Sequence, residues 1–195
     1  EQGKLAGSAT GTDGSSLRWV GGFNPFATYD LVIDKAIGNG SVGFAFTHTA
    51  NRDSLTAALE FKDDKPNAVT WNVMVDGLQV IEKSWPVPPE TKLQGLTLRA
   101  QMSAVGVNLF LESDSRTEMI GYSDFAQYLD LRARKRIQEM DFAVKADLKA
   151  DSQVMLSGAS SCFSPGTGQA DIRAITDEEG TPLLDDGRLW FTMTL

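Results

Sequence analysis

The sequence predicts an all-β protein, an antiparallel β-sandwich or jelly roll with a C-terminal β-hairpin, on three observations. Large apolar residues alternate with polar or small ones in run after run, as they do on strands with one buried face. The runs are short. Turn residues interrupt them about every eight to twelve positions, the spacing of sandwich strands.

Residues 1–17, EQGKLAGSATGTDGSSL, are rich in Gly, Ser and Thr without an apolar face. They read as a loose leader or a short edge strand, with the sandwich domain at 18–165 and order beginning near Trp19. ATYDLVIDKA is the first strand, and GNG turns it into SVGFAFTHTA, where Val42, Phe44 and Phe46 share one face. SLTAALEFK follows after NRD. In VTWNVMVDG the residues Trp71, Val73 and Val75 form one face, and Asp76-Gly77 supplies a hairpin turn into LQVIEKSW. The three prolines of WPVPPETK cannot donate ladder bonds and mark a loop or a crossover between sheets. LTLRAQMS and GVNLFLES then place Leu96 and Leu98, and Val107, Leu109 and Leu111, on alternating faces of adjacent antiparallel strands.

Between Met119 and Gln153 a helix competes, because Ala, Leu, Lys, Arg and Gln favour one. Alternation at Leu129 and Leu131, and at Phe142, Val144, Ala146 and Leu148, predicts two strands instead, with a helical turn near Ser123–Tyr128 at most. VMLSG adds the last strand of the sandwich. SPGTGQ, Ser164–Gln169, reads as a linker, so 166–195 is expected to be linker plus a terminal hairpin. An isolated hairpin is marginal in water, and its open edges invite self-association.

Composition narrows the function. The 195 residues carry a net charge of -8, so nucleic acid is not an expected partner and an anionic membrane surface would repel the chain. The basic cluster Arg132–Arg136 reads as a solvated strand or loop face. One cysteine, Cys162, and one histidine, His48, exclude an internal disulfide, structural zinc and Cys-His catalysis. Cys162 is expected to be a small buried residue and His48 a polar strand residue. No run approaches the ~18 apolar residues of a membrane span. The chain begins at Glu1 without a basic and apolar leader, which is compatible with a leader already removed and a secreted or periplasmic location.

Two resemblances add to this. From about Phe26 to Ser160 the order ALEF, WNVMVDG, LTLRAQ, VNLFLES resembles concanavalin A-like or laminin G-like sandwiches. QADIRAITDEEG and DDGRLWFTMT resemble the opening strands of the five-bladed propellers of glycoside hydrolases of families 43 and 62, with Leu189-Trp190-Phe191-Thr192 matching their aromatic strand. The resemblance implies that Asp171 corresponds to their general base, with Ile172 standing where they have proline. An inverting glycosidase sets two carboxylates roughly 6.5–9.5 Å apart across the sugar. Only the first could be present, so the 195-residue chain alone is expected to be inactive.

Three functional readings follow. The first is the non-catalytic sandwich of a carbohydrate-active enzyme, partnered by carbohydrate and by the remainder of a catalytic domain. The second is a stand-alone carbohydrate-binding or adhesion module, in which Leu189, Phe191 and Met193 would face the sandwich core as integral strands. A spacer that binds nothing is the third. Trp85, beside the prolines, is the candidate exposed platform for a sugar ring, whereas Trp71 is expected in the core. Asn24, Asn39, Asn51 and Asn72 offer hydroxyl recognition without distinguishing spacing. No cofactor is expected; Asp177, Glu178, Glu179, Asp185 and Asp186 read as solvated turns, and the calcium site that hard oxygen ligands allow has no EF-hand spacing to support it.

Overall fold

The computed structural model describes residues 7–10, 14–113, 116–164 and 170–194. Twelve strands build the sandwich: β1 (Gly7–Thr10), β2 (Gly14–Gly22), β3 (Ala27–Ile37), β4 (Gly40–His48), β5 (Ser54–Lys62), β6 (Lys65–Val75), β7 (Leu78–Pro86), β8 (Leu96–Met102), β9 (Gly106–Ser113), β10 (Arg116–Asp124), β11 (Met140–Leu148) and β12 (Gln153–Phe163). They form two antiparallel six-stranded sheets, sheet A in the order β1-β12-β3-β8-β9-β10 and sheet B in the order β2-β11-β4-β5-β6-β7. The chain falls into two compact units, 1–164 and 165–195.

Alternation explains the layers. Along β3, Ala27, Tyr29, Leu31 and Ile33 are buried while Thr28, Asp30 and Val32 face outward, and β8 repeats the pattern with Leu96, Leu98, Ala100 and Met102. An aromatic cluster joins the sheets: the ring of Tyr29 lies 4.7 Å from those of both Phe46 and Phe142. Each fully buried side chain of this size contributes roughly 1.5–3 kcal/mol relative to exposure. The Asp76-Gly77 turn forms as its residue types dictate, with φ of 54° and 81° at the two positions, a conformation that glycine adopts at no steric cost. The proline-rich segment after β7 carries the chain from sheet B to sheet A.

Four expectations need correction. Leu129 and Leu131 are not on a strand: Leu129 N–H donates to the Phe125 carbonyl at 2.9 Å in a helical turn, and Leu131 N–H donates to Ala104 at 3.0 Å. Both side chains are buried, so their alternation reflects a loop plugging one end of the core. The basic cluster is solvent-exposed as expected but enters a single turn of helix, α1 (Arg134–Ile137), instead of a strand or loop. Strand pairing begins before Trp19, because β1 pairs with β12 and β2 pairs with β11 from Gly14 onward. Cys162 is exposed, since Cα pairing with Thr28 puts it on the outward side of β12.

The second unit contains β13 (Ala170–Ala174), β14 (Leu184–Asp185), β15 (Arg188–Leu189) and β16 (Phe191–Thr194). β13 pairs with β16 and β14 with β15, as nested hairpins. These strands pair among themselves and are not members of either six-stranded sheet, contrary to the arrangement attached to the stand-alone reading. Leu184, Leu189, Trp190 and Phe191 are exposed. Among the described residues no helix is long and apolar enough to cross a membrane.

Candidate functional site

The outward side of sheet A brings together polar and aromatic residues from four strands. Register fixes one row as Asp30, Arg99, Phe110 and Met119, on β3, β8, β9 and β10. The row on one side is Thr28, Gln101, Asn108 and Tyr122; that on the other is Val32, Thr97, Glu112 and Thr117. Cross-strand neighbours in such rows stand about 5 Å apart at Cβ.

Arg99 organises the centre. Its Nε donates to Asp30 Oδ1 at 2.7 Å and its Nη2 to Asp30 Oδ2 at 3.1 Å, a bidentate pair. Nη1 lies 2.6 Å from Glu112 Oε2 on the opposite strand. Side-chain exposures of 24% for Asp30, 30% for Arg99 and 37% for Glu112 leave the three reachable by a ligand while limiting their screening by water. Hydrogen bonding to Asp30 pushes the Arg99 guanidinium above its already high pKa, helped by the charges of Asp30 and Glu112 and opposed by partial burial. Alongside, Asn108 Nδ2 donates to Gln101 Oε1 at 3.4 Å, and the Tyr122 side chain is exposed. The arrangement offers fixed donors, fixed acceptors and a flat apolar surface within reach of one another.

Trp85, the expected platform, lies away from these rows. It is in strand β7, not in the loop, and is half-buried. A Cβ added at Gly121 would come within 2.5 Å of Trp85 Cδ2, so the indole is laid over the bare backbone of β10 and closes the gap between the last strands of the two sheets. Trp71 is fully buried, its ring 5.9 Å from Phe125. Asp171 falls within β13, and its side chain, like that of Trp19, lies outside the described residues.

The other polar candidates are occupied with the fold. His48 Nδ1 accepts the N–H groups of Ala50 at 3.1 Å and Asn51 at 3.2 Å. Asn24, Asn39 and Asn51 accept backbone N–H bonds from Phe26, Asp63 and Asp53. Within the basic segment, Arg136 reaches the buried Asp53 at 3.6 Å, and Arg132 pairs with Asp130. Arg132, by its side-chain and then its backbone hydrogen bonds, holds the Asp130 carboxyl well below the usual carboxylate range, at about 2. In the second unit the Asp177 carboxylate accepts from Glu179 and Thr181, closing the acidic turn on itself. Among the described residues no group of three His, Cys, Asp or Glu is arranged to hold a metal ion. A cleft of about 360 Å³ beside the crossover segment has Leu96, Leu111 and Ile120 with Glu90, Lys92 and Arg116, but Arg116 already lies 3.3 Å from Glu118.

Sequence reading gave no place to Arg99, Asp30 or Glu112. Their alternation with buried leucines marks each as outward-facing. Only the strand order makes neighbours of Asp30 and Arg99, which are 69 residues apart.

No family model and no curated protein sequence matches the chain. Solved structures do. A legume lectin-like domain from Entamoeba histolytica aligns with a TM-score of 0.59 at 12% identity, covering 82% of this chain and 84% of that one. The carbohydrate-binding module CBM66 from Bacillus subtilis aligns with a TM-score of 0.53 at 13% identity over 82% and 94%. A galectin from Caenorhabditis elegans gives 0.50 at 13% identity over 80% and 95%. At these identities the likeness shows the fold alone, an antiparallel β-sandwich.

Proposed function

We propose that the sandwich is a carbohydrate-binding module and that its ligand lies on the outward side of sheet A, over Arg99. The observation that carries this is the partly exposed Arg99, held by Asp30 on one side and Glu112 on the other, with Gln101 and Asn108 in the next row and Tyr122 at the far end of that row. A sugar hydroxyl is both donor and acceptor, and it is matched by a surface on which both kinds of partner are locked in place before binding. The apolar flank of a pyranose has a complement in an exposed tyrosine ring. The aligned lectin-like and carbohydrate-binding structures support the reading at the level of fold.

The test is a glycan array with the complete chain, followed by titration calorimetry on the hits for wild type and Arg99→Ala. Wild type should bind, and Arg99→Ala should lose at least about tenfold in affinity, as expected for removing one charged hydrogen-bonding group. Binding that survives Arg99→Ala unchanged would move the site off this face. An array without hits would remove the function.

A second reading keeps the sandwich as the accessory domain of a glycoside hydrolase, with 170–194 as the first hairpin of a catalytic blade and Asp171 its general base in the intact enzyme. It is supported by the sequence resemblance at 169–194 and by the exposed set Leu184, Leu189, Trp190 and Phe191, an apolar surface of the kind a neighbouring blade covers. The reading frame beyond Leu195 tests it. Further repeats of aspartate, strand, acidic turn and aromatic strand would support it, and an unrelated continuation would end it.

A further inference from the structure

We infer that the Arg99 site is selective by charge: it takes neutral glycans and rejects sulfated, sialylated or uronate-bearing ones of the same backbone. The inference rests on the proposed carbohydrate-binding reading and adds the class of ligand.

It follows from how the guanidinium is used. An arginine has five N–H groups in a fixed fork. Three of them point to carboxylate oxygens, Nε and Nη2 to Asp30 and Nη1 to Glu112. The fork-to-fork geometry by which arginine recognises an incoming carboxylate or sulfate is therefore already filled by Asp30. What remains is one N–H on each Nη, side by side with carboxylate lone pairs. Two neighbouring hydroxyls satisfy that mixture, each accepting from nitrogen and donating to oxygen. An anionic group has only acceptors, so every oxygen it turns toward a carboxylate meets a like charge.

The surrounding charge points the same way. One guanidinium against two carboxylates leaves the centre with a net charge of minus one. Among the described residues of the three rows, which continue onto β12 with Ser160 and Cys162, no second cation stands; the next on this face is Lys35, beyond Val32 on β3 and opposite Met155. Lys83, which reaches the edge of the sheet, donates to the Tyr122 carbonyl at 3.3 Å. The chain as a whole carries -8, so the long-range field does not favour an anionic ligand either.

The experiment compares neutral oligosaccharides with their sulfated, sialylated and uronate counterparts, by array and then by calorimetry. Its proteins are the complete wild-type chain and the double variant Asp30→Asn with Glu112→Gln. Wild type should bind the neutral member of each pair at least about tenfold more tightly, since like-charge juxtaposition is a costly mismatch. The variant keeps side chains of the same shape but turns the centre from minus one to plus one, and should narrow or reverse that preference. If the variant does not fold, wild type alone decides through salt: residual binding of the anionic member should strengthen between about 50 and 500 mM as its repulsion by Asp30 and Glu112 is screened, and weakening with salt would overturn the inference. Wild-type binding of anionic glycans as tight as neutral ones, lost in Arg99→Ala, would overturn charge selection and leave the carbohydrate-binding reading standing. Absence of binding to either class would overturn both.

Discussion

The two outward faces of the sandwich obey the same alternation and end up chemically unlike. On sheet A the outward positions of four central and edge strands carry long side chains, with Asp30, Arg99, Glu112, Gln101 and Tyr122 among them. On sheet B the corresponding rows read Ala143, Ala45, Thr56, Asn72 and Glu82, then Lys145, Gly43, Ala58, Thr70 and Ser84. Ala45, Ala58 and Ala143 are outward by register and yet buried, because such short side chains lie beneath the level of their neighbours. Period-two patterning therefore decides that a face is outside. Side-chain length decides whether it can hold anything.

The difference is sharpest at Gly43, where sheet B tolerates no side chain at all. A Cβ there would run into the carbonyl oxygen of Ala57 and come within 2.5 Å of Ala58 Cα, both backbone atoms of the neighbouring strand. Backbone in a central ladder cannot move aside as a flexible side chain does. Gly43→Val is expected to cost more than about 3 kcal/mol, in the range reserved for forced overpacking. Urea or guanidinium unfolding measures it. A near-neutral result would mean that the close approach of β4 and β5 is not a constraint on sheet B.

Much of the fold was legible because strands with one buried face announce themselves. Val42, Phe44 and Phe46, and Leu96 and Leu98, point inward as their alternation implies. The misreadings share a cause, which is that periodicity describes a segment and says nothing of its partners. Leu129 and Leu131 alternate because a loop dips twice into the core. β10 hid its strand character behind a register shift between Met119 and Gly121, where Trp85 lies across the glycine. The proposed site was hidden most deeply. Each of Asp30, Arg99 and Glu112 reads alone as an ordinary solvated residue, and the site exists only in the order β3-β8-β9.

Tyr29 tests what couples the two faces, since it belongs to sheet A and packs on Phe44, Phe46 and Phe142 of sheet B. Its hydroxyl donates to the Asn24 carbonyl at 2.8 Å and accepts the Asn24 N–H at 2.7 Å. Burial, partly offset by the bond to Asn24, raises its pKa far above the ordinary value of 10.0. The folded state thus holds the phenol neutral while the unfolded chain ionises near pH 10. Its contribution is complete below that pH and is lost as pH rises above it. Tyr29→Phe should cost about 1 kcal/mol near pH 7 and flatten the alkaline decline of stability. Denaturant midpoints of both proteins at about pH 7 and 11 give the comparison. Equal declines in the two would assign the alkaline sensitivity to other groups.

The smallest expected effect is the one that guards the comparison itself. Thr56 and Asn72 sit side by side on the outward face of sheet B, half-exposed, and among the described residues no buried partner depends on either. Thr56→Ala and Asn72→Ala should each change stability by no more than about 0.5 kcal/mol, as surface substitutions do away from caps and buried networks. Glycan affinity should not change at all. Asn72 is also one of the residues whose amide suits hydroxyl recognition, so the measurement is not trivial. If calorimetry on an array-selected glycan found affinity reduced by Asn72→Ala and untouched by Arg99→Ala, sheet B would be the binding face. Pre-ordered long side chains would then have been the wrong criterion for choosing between the two sides of the sandwich.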